Sequence, residues 1–236
     1  MKNKTLTNIA FACFLLAILP FKNVIGQSTD TNKKSYTTTG GEMIFSWAQV
    51  KKGGEDATAI VRWSPVFNFQ FQYHNDFSSR AGFFTGVNIR NVGFIFDDPT
   101  TVNTRYKARV YDLGVPVALK LGNMRGLCLF GGYEIEFPFN YKEKRFVNEV
   151  KEEKNTSWFS SKVPSYYQSF FFGVQTAFGA QLKFKYYMTN FFNKNYSADD
   201  GAGNVVKPYA NIDANVLYIS LSFQVLKGAK AYHKDK

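Results

Sequence analysis

Residues suited to chemistry are scarce in this chain. Its 236 residues hold two histidines, two cysteines and 18 acids against 29 lysines and arginines. Cys13 sits inside an apolar run near the start, so after processing Cys128 is the one remaining thiol. That excludes an intrachain disulfide, and neither His74 nor His233 belongs to a spaced Cys/His cluster suited to zinc. A phosphate-cradling glycine-rich loop opening a helix is also absent. Long apolar runs are lacking too: beyond the first residues no stretch reaches eighteen, the length at which a spanning helix is considered. The surplus of basic residues suits either an anionic partner such as lipopolysaccharide or simply solvated loops. What is abundant is aromatic: 25 Phe and 14 Tyr in a chain whose mean hydropathy is below zero.

The beginning differs from the rest. Lys2 and Lys4 precede a thirteen-residue apolar run from Ile9 to Phe21, and Val24-Ile25-Gly26 supplies a small-residue exit before Gln27. This is the pattern of a secretory signal peptide over residues 1–26. Ala10-Phe11-Ala12 ahead of Cys13 makes a poor lipidation signal, so lipid attachment is the lesser alternative. Removing residues 1–26 takes away three lysines and no acid, which lowers the net charge from +11 to +8. Residues 27–40, rich in Thr, Ser, Asn and Lys, read as a flexible periplasmic leader. Residues 41–226 read as one barrel, and 227–236 as a basic periplasmic tail.

Period-two alternation predicts eight strands, at 42–51, 63–75, 80–96, 104–121, 127–141, 166–176, 179–190 and 215–226. The last is the clearest: Leu217, Ile219, Leu221, Phe223 and Val225 alternate with Tyr218, Ser220, Ser222 and Gln224. The second sets Phe67, Phe69, Phe71 and Tyr73 against Asn68, Gln70, Gln72 and His74. In the third the phase slips around Val92-Gly93-Phe94, which suggests a bulge there. Short and long connections alternate from the middle of the chain onward, with long loops at 142–165 and 191–214. The fold class expected is therefore all-β: an eight-stranded antiparallel up-and-down transmembrane β-barrel, with both termini in the periplasm of an outer membrane. A soluble lipocalin-like barrel is the alternative, with the aromatic face turned inward.

The stretches Asp76-Phe77, Gly82-Phe83-Phe84-Thr85-Gly86 and Arg90-Asn91-Val92-Gly93-Phe94 resemble the porin-like outer-membrane β-barrel proteins of Bacteroidota. The barrel as a whole is more distantly similar to the PorT-type proteins linked to type IX secretion. The resemblance covers most of residues 42–226 and implies an outer-membrane barrel without a catalytic signature. The chain departs from the common pattern by running ten residues past Leu226, where many such barrels end on an aromatic.

Candidate site residues lie on the polar faces. Glu134 and Glu136 of the fifth strand, and Lys183 and Lys185 of the seventh, project into a narrow interior where unpaired charge is costly. Asp112, Lys120 and Arg90 extend the set to a lumenal charge network. It reads either as a polar plug that fixes the barrel or as the lining of a conduit. Gly86, Gly114, Gly132 and Gly173 suit the crowding of such a lumen. His74 falls at the periplasmic rim, away from the external side where barrel enzymes keep their histidine, so no catalytic residue is assigned. Asp97-Asp98 and Asp199-Asp200 with Gly201 lack the further spaced acids of a calcium loop and read as turns; no metal or cofactor is expected. Loop 142–165 mixes Lys142, Glu143, Lys144, Arg145, Glu149, Lys151, Glu152, Glu153 and Lys154 ahead of Trp158 and Phe159. Mixed signs argue against nucleic acid; an external hairpin or a partner-binding surface remains. The expected partners are outer-membrane lipid and lipopolysaccharide, the barrel insertion machinery, and envelope or secretion-complex proteins. The function expected is structural, assembly or secretion-associated and non-enzymatic, with a small porin-like channel for ions or small solutes as the alternative.

Overall fold

A computed structural model describes residues 35–124, 126–199 and 201–227. The reading of a signal peptide over 1–26, and that of a tail over 227–236 with its His233, lie outside the described residues, apart from Lys227 at the end of β14. The described chain is built of strands alone: β1 (Ser35–Lys52), β2 (Glu55–Asp56), β3 (Thr58–Ile60), β4 (Arg62–Ser64), β5 (Phe69–Asp76), β6 (Ala81–Asp97) and β7 (Thr104–Gly122), then β8 (Cys128–Val147), β9 (Val150–Trp158), β10 (Tyr167–Gln175), β11 (Ala180–Tyr187), β12 (Ala198–Asp199), β13 (Val205–Val206) and β14 (Ile212–Lys227).

Antiparallel pairing runs β1-β5-β6-β7-β8-β10-β11-β14, and β14 returns to β1. That ring is an eight-stranded up-and-down barrel. Closure removes the unpaired edges that an open sheet would leave. Tight turns at 77–80, 123–127 and 176–179 lie at one end, together with Ser35 and Lys227. The longer connections, 53–68, 98–103, 148–166 and 188–211, lie at the other.

The alternation read from the sequence is the alternation of burial. Along β14, Tyr218, Ser220, Ser222 and Gln224 are buried while Leu221, Phe223 and Val225 are exposed. The apolar face thus points outward, which excludes the inward aromatic face of a lipocalin-like barrel. Each ring strand puts a large apolar side chain on the exterior: Met43, Phe69, Ile89, Leu119, Leu129, Phe172, Tyr186 and Leu221 are all exposed.

Three local expectations need correction. The first strand begins at Ser35, not 42, so residues 35–40 belong to the barrel and not to a leader. Thr37 to Gly41 are paired on both sides, with Tyr73 to Phe69 of β5 and Lys227 to Phe223 of β14. Their inward side chains are small or polar, which hid the strand from a hydrophobic pattern. Next, β6 keeps one constant register with β7 from Gly82 to Asp97, so no bulge occurs at Val92-Gly93-Phe94. The apparent slip arises because the lumen turns apolar there, and Val92, Phe94 and Phe96 stay inward. The bulge lies in β8, where the partners of Tyr111 and Asp112 are Asn140 and Pro138, leaving Phe139 as the extra residue. Finally, the second strand is broken around Pro65, which has no N–H for the ladder, and Phe67 takes a left-handed φ of 62°. Side chains bridge that seam to β6. Arg62 and Ser64 donate to the Asn91 carbonyl, each at 3.1 Å, and Asn91 N–H donates to Asn68 Oδ1 at 2.8 Å.

Candidate functional site

The inward residues of eight strands stack into layers that fill the lumen. Nearest the tight turns, Lys120 Nζ lies 2.5 Å from Asp76 Oδ1 and donates to the Tyr36 hydroxyl at 2.9 Å. The Tyr36 ring stacks on His74 at 4.7 Å between centroids, and His74 Nε2 and the Thr38 hydroxyl are hydrogen-bonded at 2.9 Å. Above them, Phe84, Ala118, Phe130 and Phe171 make a small apolar layer. Phe84, Ala118, Gly132 and Phe171 are cross-strand neighbours in one row, so the layer follows from register.

The next layer is charged. Arg90 on β6 is its centre: Nε donates to Glu42 Oε2 at 3.0 Å, and one terminal nitrogen donates to both Glu134 Oε1 and Glu136 Oε1, the latter at 3.0 Å. Lys185 on β11 bridges the same two glutamates at 2.6 and 2.7 Å, and Lys183 reaches Glu42 Oε1 at 2.7 Å. Asn88 adds a donor to Glu134 at 2.8 Å, and the Ser220 hydroxyl donates to Glu42. Period two delivers this geometry, because Glu134/Glu136 and Lys183/Lys185 are i, i+2 pairs on inward faces two strands apart. Gly114 makes the room. A Cβ built there would stand 2.2 Å from Glu134 Oε1 and 3.0 Å from Glu136 Cγ.

Three cations and three acids are thus joined. Of the residues singled out in the sequence, Arg90, Glu134, Glu136, Lys183 and Lys185 are in the cluster. Lys120 is not. It belongs to the turn-side layer with Asp76, because its position on β7 lies below the Phe84 row. Asp112, opposite Arg90 in the ladder, is fully buried beside the cluster, yet among the described residues neither carboxylate oxygen has a hydrogen-bond partner. Sequence reasoning passed over Glu42, although it falls on the face opposite Met43, Phe45 and Trp47. His74, read as a polar rim residue, is instead fully buried between Tyr36 and Phe84.

Towards the long loops the lumen becomes aromatic. Tyr141, Tyr167, Tyr187 and Tyr218 line it, and Phe191, Phe192 and Tyr209 fold in from the connection between β11 and β14. Phe191 meets Phe94 edge-on at 5.0 Å, and Phe192 stacks on Tyr209 at 4.6 Å. Tyr167 hydroxyl donates to the Phe191 carbonyl at 2.8 Å, which ties the loop to the wall. Between Val92, Val110, Tyr167, Tyr187, Phe191 and Val216 no space is left for a water molecule. Phe191, Phe192 and Tyr209, being loop residues, were invisible to periodicity.

The aspartates of the loops are engaged locally. Asp97 pairs with Arg105 at 2.7 Å, Asp98 with Lys52, and Asp199 accepts from Gly201 N–H at 2.7 Å.

The fold and site define a small closed β-barrel with an apolar exterior and a lumen filled by ion pairs and aromatic rings. No family model matches the chain, and no curated protein matches it by sequence. Among solved structures it is similar to Ail, the attachment invasion locus protein of Yersinia pestis, at 10% identity and a TM-score of 0.37, over 80% of this chain and 99% of that one. It is similar to Neisserial surface protein A at 9% identity and a TM-score of 0.38, over 80% and 97%. The outer membrane protein OprG of Pseudomonas aeruginosa aligns at 10% identity and a TM-score of 0.38, over 84% and 99%.

Proposed function

We propose that this protein is a non-enzymatic outer-membrane β-barrel with a closed lumen, serving a structural, assembly or secretion-associated role through its loops and ends. The observation that carries this reading is the apolar exterior, to which every ring strand contributes, around an interior of buried charge. In water such a surface is a liability; in a bilayer it is what the solvent requires, and closure satisfies every backbone group. Tight turns and both described ends at one rim, with long connections at the other, support an orientation with the termini in the periplasm. Apart from Asp112, the lumenal acids and bases are taken up by one another, which favours a plug over a conduit and over catalysis. The resemblance to PorT-type proteins is what suggests secretion.

The test is conductance of the refolded mature protein in a planar lipid bilayer, with insertion verified by protease protection in vesicles. An inserted barrel that passes no ions supports the closed reading. Stable steps scaling with salt, with a selectivity that changes on Glu134→Gln, would replace it with a small porin-like channel.

A further inference from the structure

Above the apolar exterior, β7, β8 and β9 continue side by side, with β6 still paired to β7. Its cross-strand register sets Lys107 opposite Lys144 and Lys144 opposite Lys154, with Arg109 opposite Lys142 in the next row. None of these five cations makes an ion pair among the described residues. Like charges directly opposite one another are destabilising in a sheet. The ammonium groups of Lys107 and Lys144 are held below their ordinary range, first by burial and then by neighbouring cations, Arg62 and Arg109 for the one and Arg109, Lys151 and Lys154 for the other. Glu149 lies at the far turn between β8 and β9, and the other acids interspersed with them in sequence are occupied elsewhere. Glu143 accepts from the Tyr209 hydroxyl at 3.0 Å, and Glu152 and Glu153 both hold Arg145. Signs that are mixed along the chain are therefore sorted in space.

Directly below the cations runs a row of rings. Phe67 meets Tyr111 edge-on at 6.1 Å, Tyr111 lies 6.4 Å from Phe139, and Phe139 stacks on Trp158 at 6.0 Å. Lys142 and Arg109 sit 4.9 and 5.8 Å from the Tyr111 centroid, joining the two rows. Arg62 is set into the seam beside them, 3% exposed; among the described residues it has no acid partner, and its guanidinium donates to Asn91, at 3.1 and 2.7 Å.

We propose that this face binds the phosphate-bearing headgroup of an amphipathic lipid in the leaflet beside the long loops. Apolar strand surface, rings and unpaired cations follow one another in the order of acyl chain, interface and phosphate in such a lipid. A soluble polyanion would use the cations and leave the rings unused. Phosphate oxygens between Lys107, Lys144 and Lys154 accept charge-assisted hydrogen bonds and remove the mutual repulsion. The inference rests on the membrane placement proposed above.

The test uses native mass spectrometry of the refolded protein released from neutral detergent micelles. The probes are bisphosphorylated lipid A, the same lipid after phosphatase treatment, and inorganic phosphate. The phosphorylated lipid is expected to bind about ten-fold or more tighter than the dephosphorylated one. Combining Lys107→Gln, Lys144→Gln and Lys154→Gln should abolish that preference, whereas Lys51→Gln, Lys194→Gln and Lys207→Gln together should keep it. All six lysines are on the surface, and heat-modifiable gel mobility verifies that both triple variants fold. Equal retention of both lipids by the unaltered protein, or an unchanged preference in the first triple variant, would overturn the site. Inorganic phosphate bound as tightly as the lipid would overturn the lipid as occupant. Flotation with zwitterionic vesicles separates the two readings: a protein that floats without a phosphate preference refutes only this site, and one that does not float refutes the membrane placement as well.

Discussion

At the level of single residues, the interior charges hold each other in place. Arg90 is 1% exposed and faces three glutamates, so truncating it leaves acids in a dry interior without their main partner. Arg90→Gln is expected to lower the unfolding free energy by about 3–5 kcal/mol, the usual cost of breaking a buried ion pair from one side, as read by urea titration in micelles. Asp112 presents the opposite case. Its oxygens have no partner to lose, so Asp112→Asn should be neutral or raise the urea midpoint. A loss as large as that of Arg90→Gln would show that Asp112 belongs to the cluster. Gly114→Ala tests the space: the added methyl collides with Glu134, so the variant should lose stability by about 1–3 kcal/mol through overpacking.

At the level of elements, the connection carrying Phe191 and Phe192 closes the loop end of the lumen. Replacing both by Ala removes rings that pack on Phe94, Tyr167 and Tyr209 and should cost about 3–5 kcal/mol per ring. The variant should still pass no ions in a planar bilayer, because the charged layer beneath is untouched. Steady conductance there would mean that the loop alone shuts the barrel. The turn between β6 and β7 is held differently. Burial raises the Asp98 carboxyl, but the Lys52 ammonium and two hydrogen bonds from Thr100, at 2.9 and 2.7 Å, outweigh it and leave it below its ordinary value of 3.8. A depressed carboxyl contributes stability above its unfolded value and loses it as pH falls through the folded one. Amide exchange in residues 98–104 should therefore quicken on acidification below about pH 4, and Asp98→Asn should remove that dependence.

At the level of the whole molecule, the exterior decides the solvent. The three tryptophans, Trp47, Trp63 and Trp158, all lie on the outward face towards the loop end of the ring, the last two well exposed. Lipids brominated near the headgroup should quench the protein's tryptophan fluorescence more than lipids brominated near the chain ends. The reverse order would place the ring row too deep for an interfacial girdle. The same exterior explains how an aromatic-rich chain keeps a mean hydropathy below zero, since only every second strand residue belongs to the apolar outer face.

How much of this was legible follows from range. Alternation is a local property, so the two faces of the strands, and the parity that puts Glu134, Glu136, Lys183, Lys185 and Arg90 inside, could be read along the chain. It also marked Glu42, had the strand been followed back past it. Strand height along the barrel axis is not local. It depends on register, which is why Lys120 fell in a different layer from Arg90 and why Asp112 came to lie beside the cluster without a partner. The entry of Phe191 and Phe192 into the lumen, and the sorting of Lys107, Lys144 and Lys154 onto one outer face, arise only once the strands are paired and the loops packed. Loops have no period to read, and which charges become neighbours across three strands depends on a bulge at Phe139 and one at Glu152 that no pattern along the chain announces.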